Sequence, residues 1–214
     1  MFVTFEGTEG SGKSTQIALL DRTLRVSGRS VVTTREPGGT ELGESLRRIL
    51  LESGPHLDPA TEAYLMTAAR SAHVRQVIRP ALARGDIVLC DRFHDSTFAY
   101  QGAGRGLELD ALACLQELAV GLTTPHLTVL LDLPVEVGLQ RRHRAGSGNR
   151  IDRESRDFHQ RVAEWYRRAS RNDVGRWRVV DATQPPDLVH TAVLKHVLAR
   201  LDVEAATRHG SCDR

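Results

Sequence analysis

Gly7-Thr8-Glu9-Gly10-Ser11-Gly12-Lys13-Ser14, followed by Thr15, matches the pattern GxxxxGK[ST] in full. Its glycines let backbone N–H groups curl around phosphate oxygens with no Cβ in the way. A helix starting near Lys13 would add its positive N-terminal end. In that setting Lys13 reaches the β- and γ-phosphates and Ser14 holds Mg²⁺. The chain has two lysines, Lys13 and Lys195, so a coincidental match to this pattern is improbable. A phosphate-binding loop leaves GTPases, motor ATPases and small-molecule kinases open. No Asn-Lys-x-Asp is present to read guanine, and 214 residues is short for a transporter or helicase motor. Small kinases lead.

Such a loop works only between a strand and a helix, and the flanking sequence supplies both. Phe2–Glu6 reads as a strand, and Lys13 to Arg25 carries Ile17, Leu20 and Leu24 at helical spacing until Gly28 breaks it. Further strands are expected at Ser30–Thr34, Asp86–Cys90, Leu127–Leu131 and Trp177–Val180. Helices are expected over Glu41–Leu51, Pro59–Arg84, Leu107–Val120 and Val189–Leu201, with a polar tail fraying beyond Asp202. Continuous apolar strands alternating with helices indicate a parallel sheet covered on both faces, a three-layer α/β fold. Ligands in such folds sit at the carboxyl ends of the strands. Asp91-Arg92 and the loop from Arg35 to Gly39 fall at those ends.

Composition is that of a globular protein: 40% hydrophobic, 26% charged, net charge +2. No global charge favours nucleic acid or membrane partners. Six arginines (Arg141, Arg142, Arg144, Arg150, Arg153 and Arg156) crowd around Gly146-Ser147-Gly148, but without the interleaved aromatics of a nucleic-acid module. Cys90, Cys114 and Cys212 are odd in number and far apart, which favours free thiols in a reducing compartment over a zinc site. With neither a leader-like start nor an apolar run of bilayer length, the expected location is cytoplasmic. One domain over residues 1–205 and a polar tail at 206–214 are expected.

Taken together, these segments resemble the bacterial thymidylate kinase family. The resemblance rests on Glu6-Gly7-x-Glu9-Gly10-x-Gly12-Lys13-Ser14, Arg-Glu-Pro-Gly-Gly-Thr at 35–40, Ala68-Ala69-Arg70 and Asp91-Arg92. It continues through Ala99-Tyr100-Gln101-Gly102, Leu131-Asp132, Arg150-Ile151-Asp152 and the run Asp181–Pro185. It covers roughly residues 1 to 200, in order. It implies a P-loop NTPase fold with a five-stranded parallel sheet, a mobile lid at about 142–153, and a homodimer. It also implies transfer of the ATP γ-phosphoryl to dTMP with Mg²⁺ present.

The roles implied by the resemblance are specific. Arg92 grips the acceptor's phosphate, and Arg35 and Pro37 line the acceptor pocket. Arg70 hydrogen-bonds the base carbonyl. Tyr100 and Gln101 contact sugar and base, with Tyr100 crowding out a ribose 2′-OH. Glu9 positions Mg²⁺ or the acceptor, so Ser14, Glu9 and Asp91 form the candidate metal set. Adenine lies against Ala182–Pro185. Two departures stand out. Gly10 occupies a position where one branch of the family carries a P-loop arginine, which shifts that task to the lid, with Arg144 and Arg150 as candidates beside Lys13, Glu9 and Arg92. Met66 stands where a phenylalanine usually stacks on thymine; its thioether is softer and less selective. A kinase for another monophosphate and a non-catalytic nucleotide-binding switch are the alternatives.

Overall fold

The structure, a computed structural model, describes residues 1–52, 57–146 and 148–209. Five strands, β1 (Phe2–Glu6), β2 (Val31–Arg35), β3 (Ile87–Asp91), β4 (Leu127–Asp132) and β5 (Trp177–Asp181), form one parallel sheet in the order β2-β3-β1-β4-β5. The alternation of side chains along β1 divides the core. Val3 and Phe5 pack with Leu20, Leu24, Leu131, Val193 and Val197, while Phe2 packs with Val74, Ile78, Val88 and Phe93 on the opposite face. Because both faces are covered, β1 is buried throughout, Thr4 and Glu6 included.

The first face carries α1 (Lys13–Val26) against the C-terminal helix. The second carries α2 (Glu41–Leu51) and α3 (Pro59–His73), then α4 (Arg79–Ala83). Asp58 caps α3 by accepting from the backbone N–H of Ala60 and Thr61. The expected single helix over Pro59–Arg84 is interrupted by a wide turn at Val74–Ile78, where the Arg79 N–H reaches back to the Val74 carbonyl. Pro80 accounts for it: its ring cannot sit against the preceding turn of a regular helix.

After β3 come α5 (His94–Thr97), a second wide turn at Phe98–Gly104, and α6 (Leu109–Val120). Beyond β4, α7 (Val135–Arg144) and α8 (Arg156–Asn172) were not among the expected elements, because arginines dominate both. The apolar stripe of α8 is narrow, with Phe158, Val162 and Tyr166 buried at helical spacing. It covers Leu130 and Trp177 from the second face. The final helix, α9 (Pro186–His209), runs well past Leu201, so residues 203–209, where fraying was expected, are helical. Residues 210–214, with Cys212, lie outside the described residues, as does Ser147 of the expected lid. Among the described residues no helix is long and apolar enough to cross a membrane.

Candidate active site

β1 stands at the topological switch point, with β3 on one side and β4 on the other, and the cleft opens at their carboxyl ends. It measures about 390 Å³ and is lined by the loop from Glu9 to Thr15, by Arg35 to Pro37, and by Met66, Arg70, Tyr100 and Gln101. Lys13 is buried, and its Nζ donates to the carbonyls of Gly7 (3.1 Å) and Thr8 (3.0 Å) and to Ser11 Oγ (3.2 Å). Burial and the nearby Arg92 guanidinium lower its pKa to about 8.

Ser14 Oγ donates to Asp91 Oδ2 at 3.0 Å. The sheet register places Asp91 beside Phe5, so this pair lies next to the phosphate loop. A hydroxyl and a carboxylate at that point are a donor set for a hard divalent cation near phosphate. Glu9, expected in the same set, is turned elsewhere. Its Oε1 accepts from Tyr100 OH (2.7 Å) and Arg92 Nη2 (3.0 Å), and its Oε2 lies 3.2 Å from His159 Nδ1 without hydrogen-bond alignment. Burial would raise its pKa, yet His159, Arg92, Lys13 and Tyr100 together hold it at about 2.

Arg92 follows β3 in the left-handed region at φ 70°, uncommon for a side chain of this size. That conformation turns its guanidinium inward. Nη1 donates to Gly7 O at 3.0 Å, Nη2 meets Glu9, and the plane stacks 4.8 Å from the Tyr100 ring centroid. Beneath it lies Glu6, fully buried, which accepts from Phe93 N, Ser96 Oγ and Tyr166 OH at 2.6–2.8 Å. Burial and the Asp95 charge raise the Glu6 pKa to about 7 despite Arg92 and two hydroxyl donors. A carboxyl that holds its proton more tightly when folded contributes stability below pH 4.5 that is lost as pH rises toward 7. Glu6→Gln is therefore expected to flatten the decline in unfolding free energy between pH 4.5 and 7, measured by urea titration at stepped pH. A slope equal to that of the parent chain would assign the proton elsewhere.

The far end of the cleft is built on α3, where Glu62, Met66 and Arg70 recur every fourth residue and share one face. Arg70 is 2% exposed. Its Nε donates to Glu36, Nη1 to Thr97 and Gln116, and Nη2 to the Phe93 carbonyl. Among the described residues four of its five N–H groups are thus committed, leaving one on Nη2. Glu36 is itself braced by His73, which meets Thr34 through its other nitrogen. Gln101 donates from Nε2 to Glu62 at 2.6 Å, and among the described residues its Oε1 has no hydrogen-bond partner.

The two lid candidates are not brought into the cleft lining. Arg144 ends α7 on the surface. Arg150 donates from Nε to Leu50 O and pairs through Nη2 with Glu62. A buried carboxylate is a strong competitor for a guanidinium that was expected to face phosphate. Arg141 and Arg142 line the cleft instead. Arg141 donates to the carbonyls of Ala182 and Thr183, where adenine was expected.

A sequence model described as thymidylate kinase matches residues 5–193. The chain belongs to the thymidylate kinase family. It is 58% identical over 193 residues to the thymidylate kinase of Thermomicrobium roseum, covering 90% of this chain and 91% of that one. Identity to the Alcanivorax borkumensis thymidylate kinase is 46% over 197 residues, covering 92% and 95%. The crystal structure of the thymidylate kinase from Ehrlichia chaffeensis superposes with a TM-score of 0.76 at 32% identity, covering 92% of this chain and 98% of that one.

The structure explains how this family member dispenses with a side chain at Gly10. A Cβ built there would lie 2.0 Å from the Gly138 carbonyl oxygen, and one built on Gly138 would lie 2.3 Å from the Glu9 carbonyl oxygen. The loop and α7 touch backbone to backbone, so no arginine fits at position 10 while α7 stays in place. Gly138→Ala is expected to lower stability by about 1–3 kcal/mol, read as a lower Tm; an unchanged Tm would mean that α7 slides freely over the loop. Sequence reasoning left Glu6 without a role and missed Glu36, Glu62, Arg47 and His159. Only Glu62 carried a usable signal, its four-residue spacing from Met66 and Arg70.

Proposed function

We propose that this chain is a thymidylate kinase, transferring the terminal phosphoryl of ATP to a phosphate oxygen of dTMP to give dTDP and ADP. One observation carries the reading. A single cleft joins the phosphate loop with Lys13, the Arg92 fork, and an end where the free Nη2–H of Arg70 and the unpartnered Gln101 Oε1 offer one donor and one acceptor. That pair matches the O4 and N3–H edge of thymine, and Met66 covers the ring.

Backbone N–H groups of Gly10 to Ser14 and the Lys13 ammonium hold the donor phosphates. Arg92 holds the acceptor phosphate in line, fixed by Glu9 and Tyr100. The nucleophile is already an oxyanion, so no general base is needed, and Glu9 serves by orienting Arg92, Tyr100 and the sugar. Ser14 and Asp91 would hold Mg²⁺, which when bound offsets charge on the donor phosphates. Positioning and charge complementarity carry the rate. Lid arginines complete the positive shell: Arg141 and Arg142 from the cleft wall, with Arg144 and Arg150 reaching phosphate only if the lid rearranges. Arg35, Arg47 and Pro37 close the acceptor side.

The enzyme is assigned to the cytoplasm, in keeping with the free thiols Cys90 and Cys114. A homodimer is supported by exposed apolar side chains on the neighbouring helices α2, α3 and α6, namely Leu42, Tyr64 and Leu118. The deciding experiment is an ADP-release assay with Mg-ATP against dTMP, dUMP, UMP, CMP, AMP and GMP, with Lys13→Ala as control. Preference for dTMP, lost in the control, is the expected result. Activity on another monophosphate would keep the mechanism and replace the substrate. ATP binding without turnover would leave a nucleotide-binding switch.

A further inference from the structure

We propose that Glu62 is the positioning residue that sets pyrimidine selectivity, by dictating which end of the Gln101 amide faces the acceptor base; this rests on the thymidylate kinase reading above. Neither side chain is exposed to solvent. Gln101 alone does not determine its orientation, because its terminal torsion is broad and roughly two-fold. Turned one way it shows the base an acceptor, and turned the other way a donor. Glu62 removes that choice, since an ionised carboxylate only accepts. Gln101 Nε2 must point at it, and Oε1 is left for the ligand.

Three residues donate four hydrogen bonds to Glu62. Oε1 receives Gln101 Nε2 at 2.6 Å and Arg105 Nε at 3.4 Å, while Oε2 receives Arg105 Nη2 at 3.3 Å and Arg150 Nη2. Burial opposes its charge, but Arg150, Gln101 and Arg105 outweigh it and hold the carboxyl below the usual range. The two guanidiniums thus secure the charge that orients the amide. In the same cleft lining, the Arg70 guanidinium is held in place by Glu36, Thr97, Gln116 and the Phe93 carbonyl, which makes its remaining N–H a fixed donor. Donor and acceptor together complement thymine and uracil, which present O4 and N3–H. Cytosine reverses both positions with its N4 amino group and bare N3.

Glutamine at position 62 breaks this logic in a definite direction. Its single carbonyl oxygen is claimed by Arg105 and Arg150, which leaves its NH₂ facing Gln101. The Gln101 amide must then rotate to offer Oε1 to that NH₂, placing Nε2 against the base.

The test is kcat/KM of Glu62→Gln with dTMP, dUMP and dCMP. dTMP and dUMP are expected to fall together by about 10- to 100-fold. The dCMP/dTMP ratio is expected to rise at least about tenfold, while the dUMP/dTMP ratio stays fixed because both bases show the same edge. Any effect through Arg150 on the lid acts equally on all three substrates and cancels in these ratios. The exchange Glu62→Gln with Gln101→Glu keeps net charge, restores an acceptor toward the base, and is expected to return the ratio to the parent value. An active Glu62→Gln enzyme with an unchanged dCMP/dTMP ratio would overturn the proposal. Should that variant not fold, Gln101→Met deletes the amide and leaves Glu62 with its two arginines; full retention of dTMP-over-dCMP selectivity would overturn the proposal equally. Failure of the parent protein to turn over dTMP would strike the underlying reading instead. Calorimetric affinities for dTMP and dCMP would then read the same selectivity without catalysis.

Discussion

Lys13→Ala is expected to lower kcat for phosphoryl transfer by about 10³-fold. The ammonium sits where three groups of the loop converge, on Gly7 O, Thr8 O and Ser11 Oγ. Arg92 is poorly placed to replace it, because its guanidinium is already divided among Gly7 O, Glu9 and the Tyr100 face, and the second lysine, Lys195, belongs to α9. Stability should behave differently from activity. Holding this ammonium out of water lowers its pKa to about 8, so removing it relieves a burial penalty that partly offsets the lost hydrogen bonds. Activity should therefore collapse while Tm moves by only about 2–4 °C. A parallel collapse of Tm would make Lys13 a structural residue of the loop rather than a phosphate ligand.

Arg92→Ala should strike both quantities. Its kcat/KM for dTMP is expected to fall by about 10³-fold, through a higher KM for the acceptor as well as a lower kcat, with the KM for ATP less affected. Loss of the guanidinium also leaves the Glu9 carboxylate short of a partner in a buried site, at a cost of about 2–3 kcal/mol in unfolding free energy. Arg92→Lys restores charge without the planar fork or the stack on Tyr100, and should recover most of the stability but little of the acceptor affinity. Steady-state kinetics with each substrate varied in turn, alongside denaturant titration, separate these effects. A change confined to the ATP KM would remove Arg92 from the acceptor side.

The position of both residues at the cleft was legible before any coordinates. Lys13 lies within eight contiguous residues whose backbone geometry is encoded locally, and Arg92 ends an apolar strand at the edge where sheets of this class bind ligands. The central strands β1, β3 and β4 were equally legible, since buried parallel strands leave mostly apolar runs, whereas the edge strands β2 and β5, only partly buried, were legible from shorter β-branched runs. The helices over arginine-rich sequence were not. In α8 a stripe of Phe158, Val162 and Tyr166 does the packing while charged residues dominate its composition. The wide turn before Pro80 was hidden as well, since proline signals a disturbed helix without saying whether it ends or widens.

What the sequence by itself determined is the phosphate loop, the parallel sheet and the set of polar residues at its carboxyl edge, all features of short segments with their own periodicity. Tertiary structure decided which of those polar residues meet. Tyr166 reaches Glu6 across 160 positions, Arg150 reaches Glu62 across 88, and Arg92 reaches Glu9 across 83. Those meetings pair Glu9, expected beside the metal, with Arg92, and Arg150, expected as the lid's catalytic arginine, with Glu62. The physical reason is that a buried charge must find a partner wherever the fold brings one. The strand order β2-β3-β1-β4-β5, rather than spacing along the chain, sets which partners are within reach.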